Sequence, residues 1–399
     1  MKKKSILFML INMNIGGTEK ALLNMLEELP RDQFDITILM LERYGGFLGS
    51  IPKDVKVEYL DGYDKIKGLI HNPIHRTSLK FVKKGNFMKA SIMAVLYFIS
   101  KLRKEQTVLY KYALREHPPI AKKYEIAVAY AGPMDFISYF IVHKVNAEKK
   151  IQWIHFDICK IGFNLQFAKK HYKHYDQIFT VSKEGKKKLL KKLPYIKEKT
   201  FEFPNAISSE KIQKLAESGK GFEDEFDGFR ILTVGRLSKE KGQDIIIPVL
   251  ARLKEAGFRV RWYCIGEGSA RRKYEQIIKE YQLEEDLVLL GSKSNPYPYM
   301  KQCDLYVQTS RHEGYCITLA EARCFDNPII TTNFTGAAEQ ITNEETGIIT
   351  LFNEDALFES VCRIIENDCL RNKLKSNLQK AAKEASKCGN LRKLTEFLS

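Results

Sequence analysis

Three short stretches of this 399-residue chain combine residue types and spacing that could do chemistry. The first is Asn14-Ile15-Gly16-Gly17-Thr18-Glu19, just after the apolar run Ile6–Ile11. Two glycines let a ligand approach the main chain, and a helix starting there offers free N–H groups and a positive dipole end to an anion. The second is Gly235-Arg236-Leu237-Ser238-Lys239-Glu240-Lys241-Gly242. Arg236 and Lys241, fixed at a strand-to-helix turn, suit a diphosphate. The third runs from His312 to Ala322 and holds Glu313, Gly314, Cys316, Ile317, Thr318 and Glu321. Its carboxylates can accept hydrogen bonds from paired hydroxyls, as on a ribose or a sugar ring. Glu313 is expected just before a helix and Glu321 in its first turn or so, with N–H groups at Gly314–Thr318 free to cradle phosphate. Each stretch alone also has a plain structural reading. Gly-Gly turns serve geometry, surface cations are often only solvated, and two acids eight residues apart recur by chance.

The elements that must position these residues alternate strand and helix. Ser5–Ile11 reads as a strand and Thr18–Leu29 as a helix. Asp35–Leu41, Val55–Leu60, Glu125–Tyr130, Lys150–Ile154 and Gln177–Val181 read as further strands. This is the pattern of a parallel sheet covered on both faces. Residues 204–229, with Pro204, Ser208-Ser209 and a polar run, read as a linker. A second series follows: strands at Arg230–Gly235, Arg259–Ile265, Leu287–Leu290, Asp304–Gln308 and Pro328–Thr332, with helices at Glu240–Glu255 and Ser269–Tyr281. The expected fold class is α/β, with two doubly wound, Rossmann-like domains facing each other across a cleft. Residues 1–205 would form the N-terminal, acceptor-side domain and 206–382 the C-terminal, nucleotide-binding one. A last helix near 383–399 would pack back on the first domain. Ligands in such sheets sit at the carboxyl ends of the strands.

Charge is unevenly shared. The formal net charge is +16, yet residues 1–200 hold 37 Lys and Arg against 19 Asp and Glu, and the remainder 28 against 30. One half therefore suits an anionic surface: nucleic acid, anionic lipid or a phosphorylated acceptor. A solvated basic surface that aids solubility is the plain alternative. Residues 64–123 carry 14 Lys and Arg against 3 acids, interleaved with Phe81, Val82, Phe87, Met88, Ile92, Met93, Val95, Leu96, Phe98 and Ile99. Such a segment reads either as a basic amphipathic helix on a membrane or as a domain helix with its apolar side in the core. Eight cysteines without a C-x-x-C pair read as reduced thiols in a cytoplasm, and a zinc site is not expected. Lys2–Lys4 before Ile6–Ile11 imitates a signal peptide. The run is short, ends in Asn12 and lacks a small-residue cleavage site, so a first strand explains it better.

Taken together the stretches resemble retaining glycosyltransferases of the GT-B fold, glycosyltransferase family 4. The resemblance runs along nearly the whole chain and is strongest over 229–348. Gly235-Arg236-Leu237 with Lys241-Gly242 resembles that family's G-R-L-x-x-x-K-G turn, and Gly266-Glu267-Gly268 its G-x-G element. Glu313 and Glu321 match its E-x7-E motif. Gly16-Gly17-Thr18-Glu19 is similar to its N-terminal donor-side loop, and Trp153-Ile154-His155-Phe156-Asp157 to its W-x-H-x-D element.

The resemblance implies roles. Arg236 and Lys241 would bind the pyrophosphate, with Gly235 in the turn. Glu321 would hold the ribose, and Glu313 the donor sugar, helped by main chain at Gly314, Cys316 and Ile317. Thr318 would lie near the phosphates. Gly16 and Gly17 would let the first domain approach the donor. His155 would touch the sugar near its anomeric carbon, and Asp157 would support His155 or contact the acceptor. The acceptor hydroxyl would attack from the face the leaving diphosphate vacates, needing no protein nucleophile. No D-x-D motif occurs, so neither a metal nor another cofactor is expected. The donor expected is a UDP-sugar, and the acceptor a saccharide or lipid-linked saccharide for capsule, exopolysaccharide or wall polymer. The site of action would be the inner face of the plasma membrane. Three rivals stay open: a GT-B-like epimerase, a basic nucleic-acid or membrane-surface binder without catalysis, and a catalytically dead scaffold. No helix-turn-helix, zinc or aromatic-basic RNA signature supports nucleic acid as a partner.

Overall fold

The computed structural model describes residues 3–71, 78, 85–385 and 398. The chain forms two compact units that meet in sequence at Pro204 and Asn205, with Leu398 grouped with the first. The first unit holds seven strands: β1 (Lys4–Leu10), β2 (Phe34–Met40), β3 (Lys56–Tyr59), β4 (Ile120–Gly132), β5 (Val145–Ile154), β6 (Gln177–Thr180) and β7 (Thr200–Glu202). They pair in parallel in the order β3-β2-β1-β4-β5-β6-β7. The second unit holds β8 (Phe229–Val234), β9 (Val260–Ile265), β10 (Leu287–Gly291), β11 (Leu305–Gln308), β12 (Ile329–Thr332) and β13 (Ile348–Thr350). Their order is β10-β9-β8-β11-β12-β13, again parallel. The order reverses between β1 and β4 in one sheet and between β8 and β11 in the other, which is where such sheets open a crevice for ligands.

The strands read as apolar runs because both faces are covered. Ile6, Leu7, Phe8, Met9 and Leu10 are fully buried. The apolar run is thus an interior strand of the sheet, between β2 and β4.

Several expectations need correction. Residues 204–229 are not all linker. Ser208 caps the helix Ser209–Ser218, whose Ile212 and Ala216 enter the second core. Polar composition hid an amphipathic helix with its own N-cap. The single helix expected at Glu240–Glu255 is two short 3-10 turns and a helix only from Ile246. Gly242, in the left-handed region at φ +69°, breaks the run. β4 starts earlier than expected, at Ile120, with an irregularity in register between Ile120 and Lys123. β7 and β13 have three residues each, too few to show a period. Phe81, Val82 and most of the C-terminal helix expected at 383–399 lie outside the described residues, although Leu398 is buried. The seven described cysteines are all free. No helix among the described residues is long and apolar enough to cross a membrane.

Candidate functional site

In the second unit the turns after β8, β9 and β10 lie against one another, amide to carbonyl. Gly235 N–H donates to Ile265 (2.9 Å), Gly266 to Gly291 (2.8 Å) and Leu237 to Glu267 (3.1 Å). A side chain at Gly266, whose φ is +149°, would strike the Gly235 carbonyl. The turn after β8 is also tied to the stretch after β11. Thr309 Oγ1 donates to the Lys241 carbonyl (3.0 Å), and Arg311 N–H to that of Glu240 (2.8 Å). The Arg311 guanidinium forks onto Asp244 with two bonds of 2.7 Å.

This anchoring sets Lys241 against Glu313, Nζ to Oε1 at 2.5 Å. Both side chains are largely buried, 24% and 12% exposed. Burial pulls the Lys241 ammonium down, but the Glu313 carboxylate outweighs it and leaves the pKa above its ordinary value. Glu313 Oε1 also accepts from Ser310 Oγ (2.6 Å), which accepts from Gln308 Nε2 (2.9 Å). Gln308 Oε1 in turn accepts from Thr318 Oγ1 (3.2 Å) and Tyr306 OH (2.8 Å). Lys241, Glu313 and Thr318, singled out in sequence, are therefore one network. It runs through Ser310 and Gln308, which the sequence reading passed over. Their signal was weak but present: polar side chains at the buried end of a strand, where each must find a partner.

Arg236 differs from its expected twin. It is exposed, and among the described residues its guanidinium makes no hydrogen bond or ion pair. The pair of fixed cations is thus one neutralised lysine and one uncommitted arginine.

Glu321 is buried (3% exposed) and accepts from Tyr297 OH at 2.8 Å. It is the fifth residue of the helix Ile317–Ala322, just past the first turn. Cys316 caps that helix at φ +56°, an unusual conformation for a residue with a side chain. It turns the chain so that the amides of Ile317 and Thr318 start the helix without intrahelical partners. Burial pushes the Cys316 thiol up to about 12, so it stays protonated. Gly314 is buried beside it.

In the first unit, Gly16 caps the helix Gly17–Glu28 in extended conformation. The loop from Arg43 to Phe47 backs this turn: Met13 N–H donates to Tyr44 (3.0 Å), and a side chain at Gly45 would strike the Met13 carbonyl. His155 follows β5, and its amide donates to Gly132 at the end of β4 (3.1 Å). Its ring lies parallel to Trp153 and edge-on to Tyr130, with centroids at 6.0 and 4.5 Å. Burial holds its pKa down at about 3, so the imidazole is neutral. Its Nε2 is buried with no hydrogen-bond partner among the described residues. Asp157 is committed to structure: it pairs with Lys188 (2.8 Å) and accepts from the Cys159 amide (2.8 Å). Asp135, three residues past Gly132, escaped the sequence reading. Burial and then the Glu105 carboxylate raise its pKa to about 7. No group of three or more His, Cys, Asp or Glu among the described residues is placed to hold a metal.

With this geometry in place, comparison with known proteins is decisive for the second unit. Residues 221–384 match the model of the family described as glycosyl transferases group 1. That stretch is similar to the group 1 glycosyltransferases. The matched stretch holds Arg236, Lys241, Glu313, Thr318 and Glu321. Over 196 residues the chain is 33% identical to the Campylobacter jejuni N-acetylgalactosamine-N,N'-diacetylbacillosaminyl-diphospho-undecaprenol 4-alpha-N-acetylgalactosaminyltransferase, covering 49% of this chain and 52% of that one. The chain spans about half the length of the curated relatives it matches. Among solved structures, Anabaena HepE in complex with UDP is similar over 99% of both chains, with a TM-score of 0.67 and 17% identity. A variant of S. aureus TarM in complex with fondaparinux, alpha-GlcNAc-glycerol and UDP is similar over 99% of both chains, with a TM-score of 0.68 and 16% identity. At such identities the likeness is one of fold: two parallel-sheet, Rossmann-like α/β units of the GT-B class.

Proposed function

We propose that the chain is a retaining glycosyltransferase of family 4. It would move a hexose or N-acetylhexosamine from a UDP-sugar to a saccharide or lipid-linked saccharide acceptor, in the synthesis of capsule, exopolysaccharide or wall polymer. The observation that carries this reading is the Lys241–Glu313–Ser310–Gln308–Thr318 network beside the uncommitted Arg236, within the matched stretch. Support for donor and acceptor comes from the Campylobacter relative, named for transfer to a diphospho-undecaprenol saccharide, and from UDP in the HepE and TarM structures.

The chemistry follows from charge. As the sugar–phosphate bond breaks, negative charge grows on the diphosphate. Arg236, Lys241 and the amides of Ile317 and Thr318 stabilise it, each donor being worth about 10²–10³ in rate. Glu313 holds Lys241 in place and orients the donor sugar. Glu321, fixed by Tyr297, takes the ribose hydroxyls. Gly16, Gly17 and the neutral His155 are assigned to the donor sugar, and Asp157 to supporting the loop that bears His155. The acceptor's proton leaves with the diphosphate, and no divalent metal is invoked. The protein would work in the cytoplasm, at the inner face of the plasma membrane.

Incubation with a panel of UDP- and GDP-sugars, followed by product analysis, tests the reading. Release of UDP, with a glycosylated acceptor or slow donor hydrolysis in the presence of EDTA, is expected. An isomerised nucleotide sugar without UDP release would make the protein an epimerase instead.

A further inference from the structure

The helix Phe87–Arg103 buries one side and leaves the other apolar and exposed. Ala90, Met93 and Ser100 face inward, and Met93 packs on Leu109 of the helix Thr107–Ala113. Phe87, Met88, Val95, Phe98 and Leu102 are 58–72% exposed. At about 100° per residue these five fall on one arc of about 100°, opposite the buried side. Lys101 and Arg103 border that arc on either edge. Soluble surfaces scatter such residues singly, and a row of five large ones, with Ser91 among them donating its hydroxyl to the Phe87 carbonyl (3.0 Å), marks a docking face.

The charge around the row narrows the partner. Between positions 65 and 104 the sequence has ten Lys and Arg and no acid. The next acid, Glu105, is buried and paired with Lys170 at 3.1 Å. A second copy docking on this face would set cations against cations without a countercharge. Nucleic acid would leave the phenyl and leucyl side chains unmatched. A bilayer carrying anionic headgroups satisfies both: acyl chains take the apolar arc and phosphates the bordering cations. The helix is too short to span a membrane and is held along its length by its buried side.

We propose that the outward face of the helix Phe87–Arg103 lies in the interface of an anionic lipid membrane, parallel to its plane. This deepens the membrane placement given above and does not depend on the transfer reaction.

Flotation of the full chain with vesicles of phosphatidylcholine, alone or with about one-third phosphatidylglycerol, tests it. Binding to the anionic vesicles is expected to be at least about tenfold tighter. Phe98→Asp with Leu102→Asp should weaken binding by about tenfold or more, through lost apolar burial and added negative charge. Lys101→Gln with Arg103→Gln should weaken it about tenfold or more, at about fivefold per cation. Unchanged melting temperatures show that the variants, altered only on the surface, still fold. Equal or negligible binding to both vesicle types overturns the proposal, as does wild-type binding by the acidic variant. A dimer of the chain that Phe98→Asp dissolves would assign the face to a second copy and overturn it too. UDP release measured in the same samples reports separately on the transferase reading: its absence in wild type leaves the vesicle result standing.

Discussion

Lys241 and Glu313 are 72 residues apart in the chain and 2.5 Å apart in space. Each comes from a turn at the carboxyl end of its strand, β8 and β11, which are neighbours in the sheet. The ammonium is thereby aimed by a carboxylate, and the carboxylate by Ser310. Removing either partner leaves the other's charge largely buried and without its countercharge. Lys241→Met and Glu313→Gln should each lower transfer by about 10²-fold or more, through lost stabilisation of the leaving diphosphate. Circular dichroism should show a retained fold. Turnover within threefold of wild type in Lys241→Met would remove this lysine from the mechanism.

Tyr297 reaches Glu321 with one hydroxyl, so its removal is a test of positioning. Tyr297→Phe deletes a hydrogen bond to a charged group, a change of about 1.5–3 kcal/mol. The expected result is a donor KM raised roughly tenfold or more with kcat nearly unchanged, since ribose binding is shared by ground and transition states. A fall confined to kcat would contradict the ribose role given to Glu321.

Gly242 and Gly257 both have left-handed backbones, at φ +69° and +84°, but differ in surroundings. A Cβ on Gly242 would collide with the Thr309 carbonyl, whereas Gly257 has open space. Gly257→Ala should cost only the conformational term, about 1 kcal/mol. Gly242→Ala should cost more than about 2 kcal/mol and disturb the seat of Lys241. Denaturant melts of the two variants decide this, and equal costs would mean the turn after β8 yields freely.

Asp135 gives a pH dependence with a defined sign. Its carboxyl is raised to about 7 in the fold by burial and by Glu105, and stands at 3.8 when unperturbed. The folded state therefore holds the proton that the unfolded chain has lost, and stability falls as pH rises between those values. Asp135→Asn removes the penalty. Its melting temperature should exceed that of wild type at pH 8 and match it near pH 3.5. A gain of the same size at both pH values would trace the effect to packing instead.

The parallel strands and their order along the chain were legible in sequence because burial on both faces writes continuous apolar runs such as Ile6–Leu10. The candidate site residues stood out in sequence because glycines and fixed charges combine at strand ends. What stayed hidden had its cause in partners distant in sequence. Ser310 and Gln308 are ordinary polar residues until the pairing of β8 with β11 sets them between Glu313 and Thr318. The helix Ser209–Ser218 hid inside polar composition because only three of its ten residues are apolar and half its signal is a capping serine.

By itself, then, the sequence determined the α/β class, the strand-end motifs and the basic, acid-free segment around the helix Phe87–Arg103. Only the tertiary structure decided which of the charges are already committed. Lys241 is neutralised by Glu313, Asp157 by Lys188, and Arg236 is left uncommitted. It also decided which side of the Phe87–Arg103 helix is spent on the core. The physical reason is the same in each case. Charge type and apolar period are local properties of the chain, whereas pairing and burial depend on neighbours that folding brings from tens of residues away.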